Sequence, residues 1–151
     1  MELVTITETD IEMLGRILLS VILGGLIGFE RERTHKPAGL RTHIFVCMGA
    51  CLFTISSFYL LNEQGLGEFD PTRIASGIVT GISFIGAGSI IASKGDIKGI
   101  TTAASLWVVA GIGLMVGFGI YFLPIAASLI AFLVLLFGRI EKNTIRENVK
   151  K

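Results

Sequence analysis

The chain has 151 residues, of which 52% are apolar and only 17% charged, with thirteen Lys and Arg against twelve Asp and Glu for a net charge of +1. Soluble domains carry charge on about a quarter of their residues, so this deficit, with a mean hydropathy of +0.75, excludes an ordinary soluble globule. The net charge says nothing about nucleic acid, because what matters is where the charges fall along the chain; no nucleic-acid partner is expected, and the length allows one domain.

A spanning helix needs about 20 mostly apolar residues, and five segments qualify: 13–29, 42–61, 74–93, 101–119 and 120–138. Met1 is followed by acidic residues and not by a basic n-region, which predicts that the first segment is retained and not cleaved as a signal. Arg16 lies near the start of that segment, where a long side chain can snorkel to the headgroups. The last two segments run together without a charge and are divided at 117–119, because a single helix of that length would overshoot the bilayer. Pro124 then falls near the start of the fifth helix, where its missing N–H is tolerated.

Eleven of the thirteen basic residues lie in three places: between helices one and two, between helices three and four, and after helix five. Five crossings put all three on one side, which lysine and arginine mark as cytoplasmic. The expected fold is therefore an all-α integral membrane protein, a polytopic bundle of about five transmembrane helices over 1–138. Its N-terminus is outside, and a basic tail, 139–151, is cytoplasmic. Shifting the chain by 60 residues superposes Gly39-Leu40-Arg41-Thr42 on Gly99-Ile100-Thr101-Thr102, a weak sign of two related helix pairs.

Charged and polar residues at helix boundaries are the candidates for function. Glu30-Arg31-Glu32-Arg33 follows directly on an apolar run. It reads either as a solvated loop with positive-inside anchors or, more sharply, as a source of a Glu30–Arg41 pair across the bundle mouth. Asp70-Pro71-Thr72-Arg73 reads as an N-cap with proline at the first helical position, with an outer cation or substrate contact as the alternative. Gly24/Gly28, Gly77/Gly81 and Gly113/Gly117 are GxxxG pairs that favour close helix packing. They predict a homodimer or higher oligomer.

Cys47 and Cys51 sit one turn apart, a spacing that suits packing far better than a soft metal ion in transit. His35 and His43 lack the further ligands of a metal site. The glycine runs near residues 86 and 111 lack the flanking strand and acidic residue of a dinucleotide fingerprint. No nucleophile–base pair stands out, so the reading is not an enzyme, with no catalytic, cofactor-binding or metal residues.

The stretches Gly28-Phe29-Glu30-Arg31-Glu32-Arg33, Ala38-Gly39-Leu40-Arg41-Thr42-His43 and Asp70-Pro71-Thr72-Arg73 resemble the MgtC/SapB family of bacterial membrane proteins. So do Gly81-Ile82-Ser83-Phe84-Ile85-Gly86-Ala87-Gly88 and Gly99-Ile100-Thr101-Thr102-Ala103-Ala104-Ser105-Leu106-Trp107. The resemblance implies a multi-pass protein of the bacterial inner membrane, linked to adaptation to low magnesium and, in some pathogens, to virulence. It implies contacts with other membrane proteins, the proton-translocating ATP synthase among them, and this chain reads as a short form without the family's soluble C-terminal domain. It singles out Glu30, Arg31, Arg41, Thr42, Thr101 and Thr102 at the cytoplasmic ends and Asp70 and Arg73 outside. Two functions follow as expectations: a regulatory protein acting by helix contacts, or a small magnesium-related transporter or channel.

Overall fold

A computed structural model describes residues 7–64, 70–93 and 96–149. Five helices carry the fold: α1 (Glu8–Arg33), α2 (Leu40–Gln64), α3 (Pro71–Gly88), α4 (Ile100–Gly117) and α5 (Phe122–Val149), with a two-stranded hairpin, β1 (Ile91–Ser93) and β2 (Asp96–Lys98), between α3 and α4. Among the described residues, three helices are long and apolar enough to cross a membrane: α1, α2 over Leu40–Tyr59, and α4; the apolar part of α5, Phe122–Gly138, is shorter.

Local chemistry sets the ends. α1 starts at Glu8 because Thr7 and Asp10 form a capping box: the Asp10 N–H donates to the Thr7 hydroxyl at 3.2 Å, and the Thr7 N–H donates to the Asp10 carboxylate at 2.8 Å. It stays helical through Arg33, whose guanidinium stacks 5.5 Å from the centroid of Phe29. His35 then turns the chain at φ 52°. The Leu40 N–H that opens α2 donates to the Glu32 carboxylate at 2.9 Å, so an acidic side chain satisfies an orphan donor and meets the positive end of the helix.

The third helix ends five residues before the expected Ser93. Ser89 caps it, its hydroxyl donating to the Gly86 carbonyl at 2.7 Å, and the chain beyond pairs as two three-residue strands, Ile91 opposite Lys98. Gly99 closes the hairpin onto α4 at φ 96°. A Cβ there would strike the Ser89 carbonyl, so both conformation and space require glycine. The break between α4 and α5 falls at 118–121, where Gly119 takes φ 79°, and buried Pro124 occupies the first turn of α5.

Helices α1, α2 and α4 form the core. Leu23 and Ile27 of α1, Cys47, Cys51 and Ile55 of α2, and Val109, Ile112 and Val116 of α4 make one buried cluster, joined by Leu135 of α5. α5 is also tied by the Ser128 hydroxyl, which donates to the Leu23 carbonyl at 3.3 Å. α3 packs mainly on α4 through Ile82, Leu106 and Ala110. Helices α2 and α4 start sixty residues apart, at Leu40 and Ile100, in line with the weak internal repeat.

Candidate functional site

Two of the three glycine pairs are consumed inside the fold. A Cβ on Gly24 would lie 2.7 Å from the Cys47 Cβ, and one on Gly28 would lie 2.9 Å from the His43 Cβ, so α1 meets α2 in backbone contact. On the other side of α2, a Cβ on Gly113 would strike the Cys47 carbonyl, and one on Gly117 would lie 2.5 Å from the Thr54 Cβ. Gly77 and Gly81 have nothing within 4 Å, which leaves only this pair for the oligomer face expected from sequence. Cys47 and Cys51 are fully buried at these crossings as packing groups.

Against that packing, one end of the bundle holds a buried polar cluster. Glu30 and Arg31 are 5% and 4% exposed and form an ion pair with each other, Arg31 donating from Nε and Nη2 to the same Glu30 oxygen, Oε2. This corrects the expected Glu30–Arg41 pairing. Glu30 is turned into the bundle on the face of α1 that also carries Ile27, whereas Arg41 is exposed on α2. The other carboxylate oxygen, Glu30 Oε1, is buried without a hydrogen-bond partner.

Beside this pair lies His43, fully buried and within reach of the fields of both charges. Its Nδ1 is 2.8 Å from the Gly39 carbonyl and its Nε2 is 2.9 Å from Ser105 Oγ. A carbonyl only accepts, so Nδ1 carries the proton, and in the neutral ring Nε2 accepts from the Ser105 hydroxyl. Ser105 also lies 2.8 Å from the Thr102 carbonyl, so its single hydroxyl hydrogen faces two acceptors. The arrangement has the contacts of a nucleophile and its base, but both groups are enclosed by packed helices, so it acts as a joint between α2 and α4.

From the sequence, His43 is weighed only as a metal ligand, and Ser105 is not singled out as a candidate. Both lie in the stretches that carry the family resemblance, but their pairing joins positions 62 apart. Thr102 is buried at this joint and Thr101 is exposed; the N-cap of α4 is Gly99, with no side-chain bond.

At the opposite end, Asp70 caps α3, accepting from the Thr72 N–H at 2.9 Å and from the Thr72 hydroxyl. Those two donors hold its carboxyl below the usual carboxylate range. Arg73 is exposed beside it. Arg16 donates from Nη1 to the Gly117 carbonyl at 2.8 Å and from Nη2 to Glu12 at 2.6 Å, placing a cation at the negative end of α4. Arg41 and Thr42 line a third place, a lateral cleft between α2 and α3. Among the described residues, no three His, Cys, Asp or Glu side chains converge as metal ligands.

A sequence profile of the MgtC family matches residues 17–143, from within α1 to within α5, taking in the whole buried cluster and the cleft. The chain belongs to the MgtC family. It is 46% identical over 128 residues to the Escherichia coli K12 protein named "Putative magnesium transporter YhiD", covering 82% of this chain and 59% of that relative. It is 44% identical over 99 residues to "Protein MgtC" of Brucella abortus, covering 66% of this chain and 40% of that one. With "Protein MgtC" of Salmonella typhimurium the identity is 41% over 114 residues, 76% of this chain and 47% of the relative. The chain thus spans about half the length of these MgtC-family relatives. No solved structure matches it.

Proposed function

We propose that this MgtC-family chain is a regulatory, non-enzymatic protein of the bacterial inner membrane that acts through contacts with other membrane proteins during adaptation to low magnesium. The observation that carries this reading is the way the bundle interior is filled. Gly24, Gly28, Gly113 and Gly117 bring α1, α2 and α4 into backbone contact, and the buried charges of Glu30 and Arg31 neutralise each other. Such an interior offers helix faces to partners and a poor path to a hydrated ion. The chain's N-terminus is outside and its C-terminus cytoplasmic in this reading, supported by the eleven basic residues that share one side. The family resemblance points to the proton-translocating ATP synthase as the first partner to test and to survival of pathogens in the host as a setting.

A second reading, transport of magnesium, draws on the name of the YhiD relative. Magnesium uptake into proteoliposomes of the purified chain separates the two. The regulatory reading expects uptake equal to that of protein-free vesicles, together with slower ATP hydrolysis by the synthase in inverted membrane vesicles containing the chain. Saturable magnesium uptake would replace it with the transporter reading.

A further inference from the structure

We propose that the cleft between α2 and α3 binds one anionic phospholipid, with its headgroup phosphate on Arg41 and Thr42 and an acyl chain lying along the cleft. The cleft has a volume of about 1010 Å³, at the upper end of the roughly 300–1,000 Å³ typical of ligand sites. It exists because α3 leans on α4 and stands off from α2, and because Gly49 of α2 and Gly77 and Gly81 of α3 leave the facing surfaces without side chains.

Its chemistry is that of an amphiphile's imprint. From Arg41 to Ser57 helix α2 rises roughly 24 Å at 1.5 Å per residue, most of a hydrocarbon core about 30 Å thick. Along that length the lining holds a single charge, Arg41, at one end, with the Thr42 hydroxyl next to it. Beyond them Phe45 and Phe53 face the α3 residues Ile78 and Ile85, and the lining is almost wholly apolar until Ser56 and Ser57 at the far end.

Arg41 is exposed, and no carboxylate pairs with it among the described residues. It stands at the basic end of the bundle, next to Leu40, whose N–H is taken by the Glu32 carboxylate, so the guanidinium itself supplies the positive charge. A guanidinium there matches the phosphate of an anionic lipid in fork geometry, and anionic lipids concentrate at the cytoplasmic face. A second copy of the chain is the other occupant that the open Gly77/Gly81 pair allows. A helix from that copy would have to place a carboxylate at Arg41 in one register, whereas a phospholipid brings its anion to the boundary wherever it docks.

The test uses the full chain, purified in detergent and titrated with phosphatidylglycerol or phosphatidylcholine, with bound lipid counted by native mass spectrometry. One phosphatidylglycerol per chain is expected, bound about tenfold more tightly than phosphatidylcholine, whose choline cation offsets the charge that its phosphate brings to Arg41. Arg41→Gln should abolish that preference while leaving lipid bound. Gly77→Leu should weaken both lipids, and Arg33→Gln, a basic change on the same side outside the cleft, should alter neither. Phosphatidylglycerol carrying a photoreactive acyl chain should label the α2 and α3 segments that line the cleft, a readout that holds even where a variant folds poorly. The proposal is overturned by labelling elsewhere, by an unchanged preference in Arg41→Gln, by equal competition from soluble glycerol phosphate, or by Gly77→Cys cross-linking two copies with lipid absent.

Discussion

His43 Nε2 lies 2.9 Å from Ser105 Oγ, which ties the first turn of α2 to the second turn of α4 in a site closed to solvent. Removing the hydroxyl in Ser105→Ala leaves a buried ring nitrogen unpaired, at a cost of about 1–3 kcal/mol. His43→Ala should cost more, since it also leaves a cavity where the ring stood. The double variant should cost less than the sum, with a coupling of about 0.5 kcal/mol or more by thermal unfolding in detergent. Additive losses would mean that the two groups are neighbours without a working bond.

Glu30 and Arg31 should behave as a unit. Glu30→Gln leaves the Arg31 charge buried without its counter-ion, a loss of about 3–5 kcal/mol, while the Glu30→Gln/Arg31→Met double variant should recover much of it. Arg41→Gln, at an exposed position, should fall within about 0.5 kcal/mol of the parent. A double-mutant cycle coupling Glu30 to Arg41 as strongly as to Arg31 would contradict the geometry.

The glycine pairs should separate by side-chain tolerance. Gly113→Ala and Gly24→Ala push a methyl into backbone or Cβ atoms that cannot yield, costing about 1–3 kcal/mol each. Gly77→Ala meets open space and should leave the melting temperature unchanged or slightly raised, because alanine is the better helix former. Equal losses at all three would show that α3 is covered by a neighbour.

Asp70 gives the pH dependence a sign. The Thr72 hydroxyl and N–H depress its pKa in the folded protein, so its contribution is complete above the unfolded carboxyl value of about 3.9 and fades as pH falls through the folded value. Asp70→Ala should therefore melt earlier than the parent at neutral pH, and the gap should close as the buffer is taken below pH about 4. A gap that persists at the lowest pH would assign it to something other than the carboxylate.

Orientation is open to cysteine labelling, since native Cys47 and Cys51 are buried. With an impermeant maleimide on intact cells, Arg73→Cys should react and Lys36→Cys should react only after permeabilisation. The reverse pattern would invert the topology. Reporter fusions at Gly67 and Lys151, which lie outside the described residues, should agree.

How far the sequence carries depends on whether a property is local. The helix start at Asp70-Pro71 follows from a cap and a proline, whose effects act within a turn, and the break after α4 from the length of the apolar run, whereas the start of α2 at Leu40, two residues before the expected 42, depends on Glu32 eight residues away. The early end of α3 was not legible, because 89–93 is as apolar as a helix and the hairpin depends on Gly99 folding back against Ser89.

By itself the sequence determined the all-helical membrane class, the rough number of helices and the short set of boundary residues. Apolar run length and the scarcity of charge leave a chain few other ways to satisfy its backbone in lipid. Tertiary structure decided the partners. It gave Glu30 to Arg31 and left Arg41 on the cleft, it joined His43 to Ser105 and Arg16 to Gly117, and it used two glycine pairs while leaving the third open. The reason is geometric: periodicity tells which residues share a face of one helix, but the rotation and crossing of that helix against its neighbours is fixed only when all the faces pack at once.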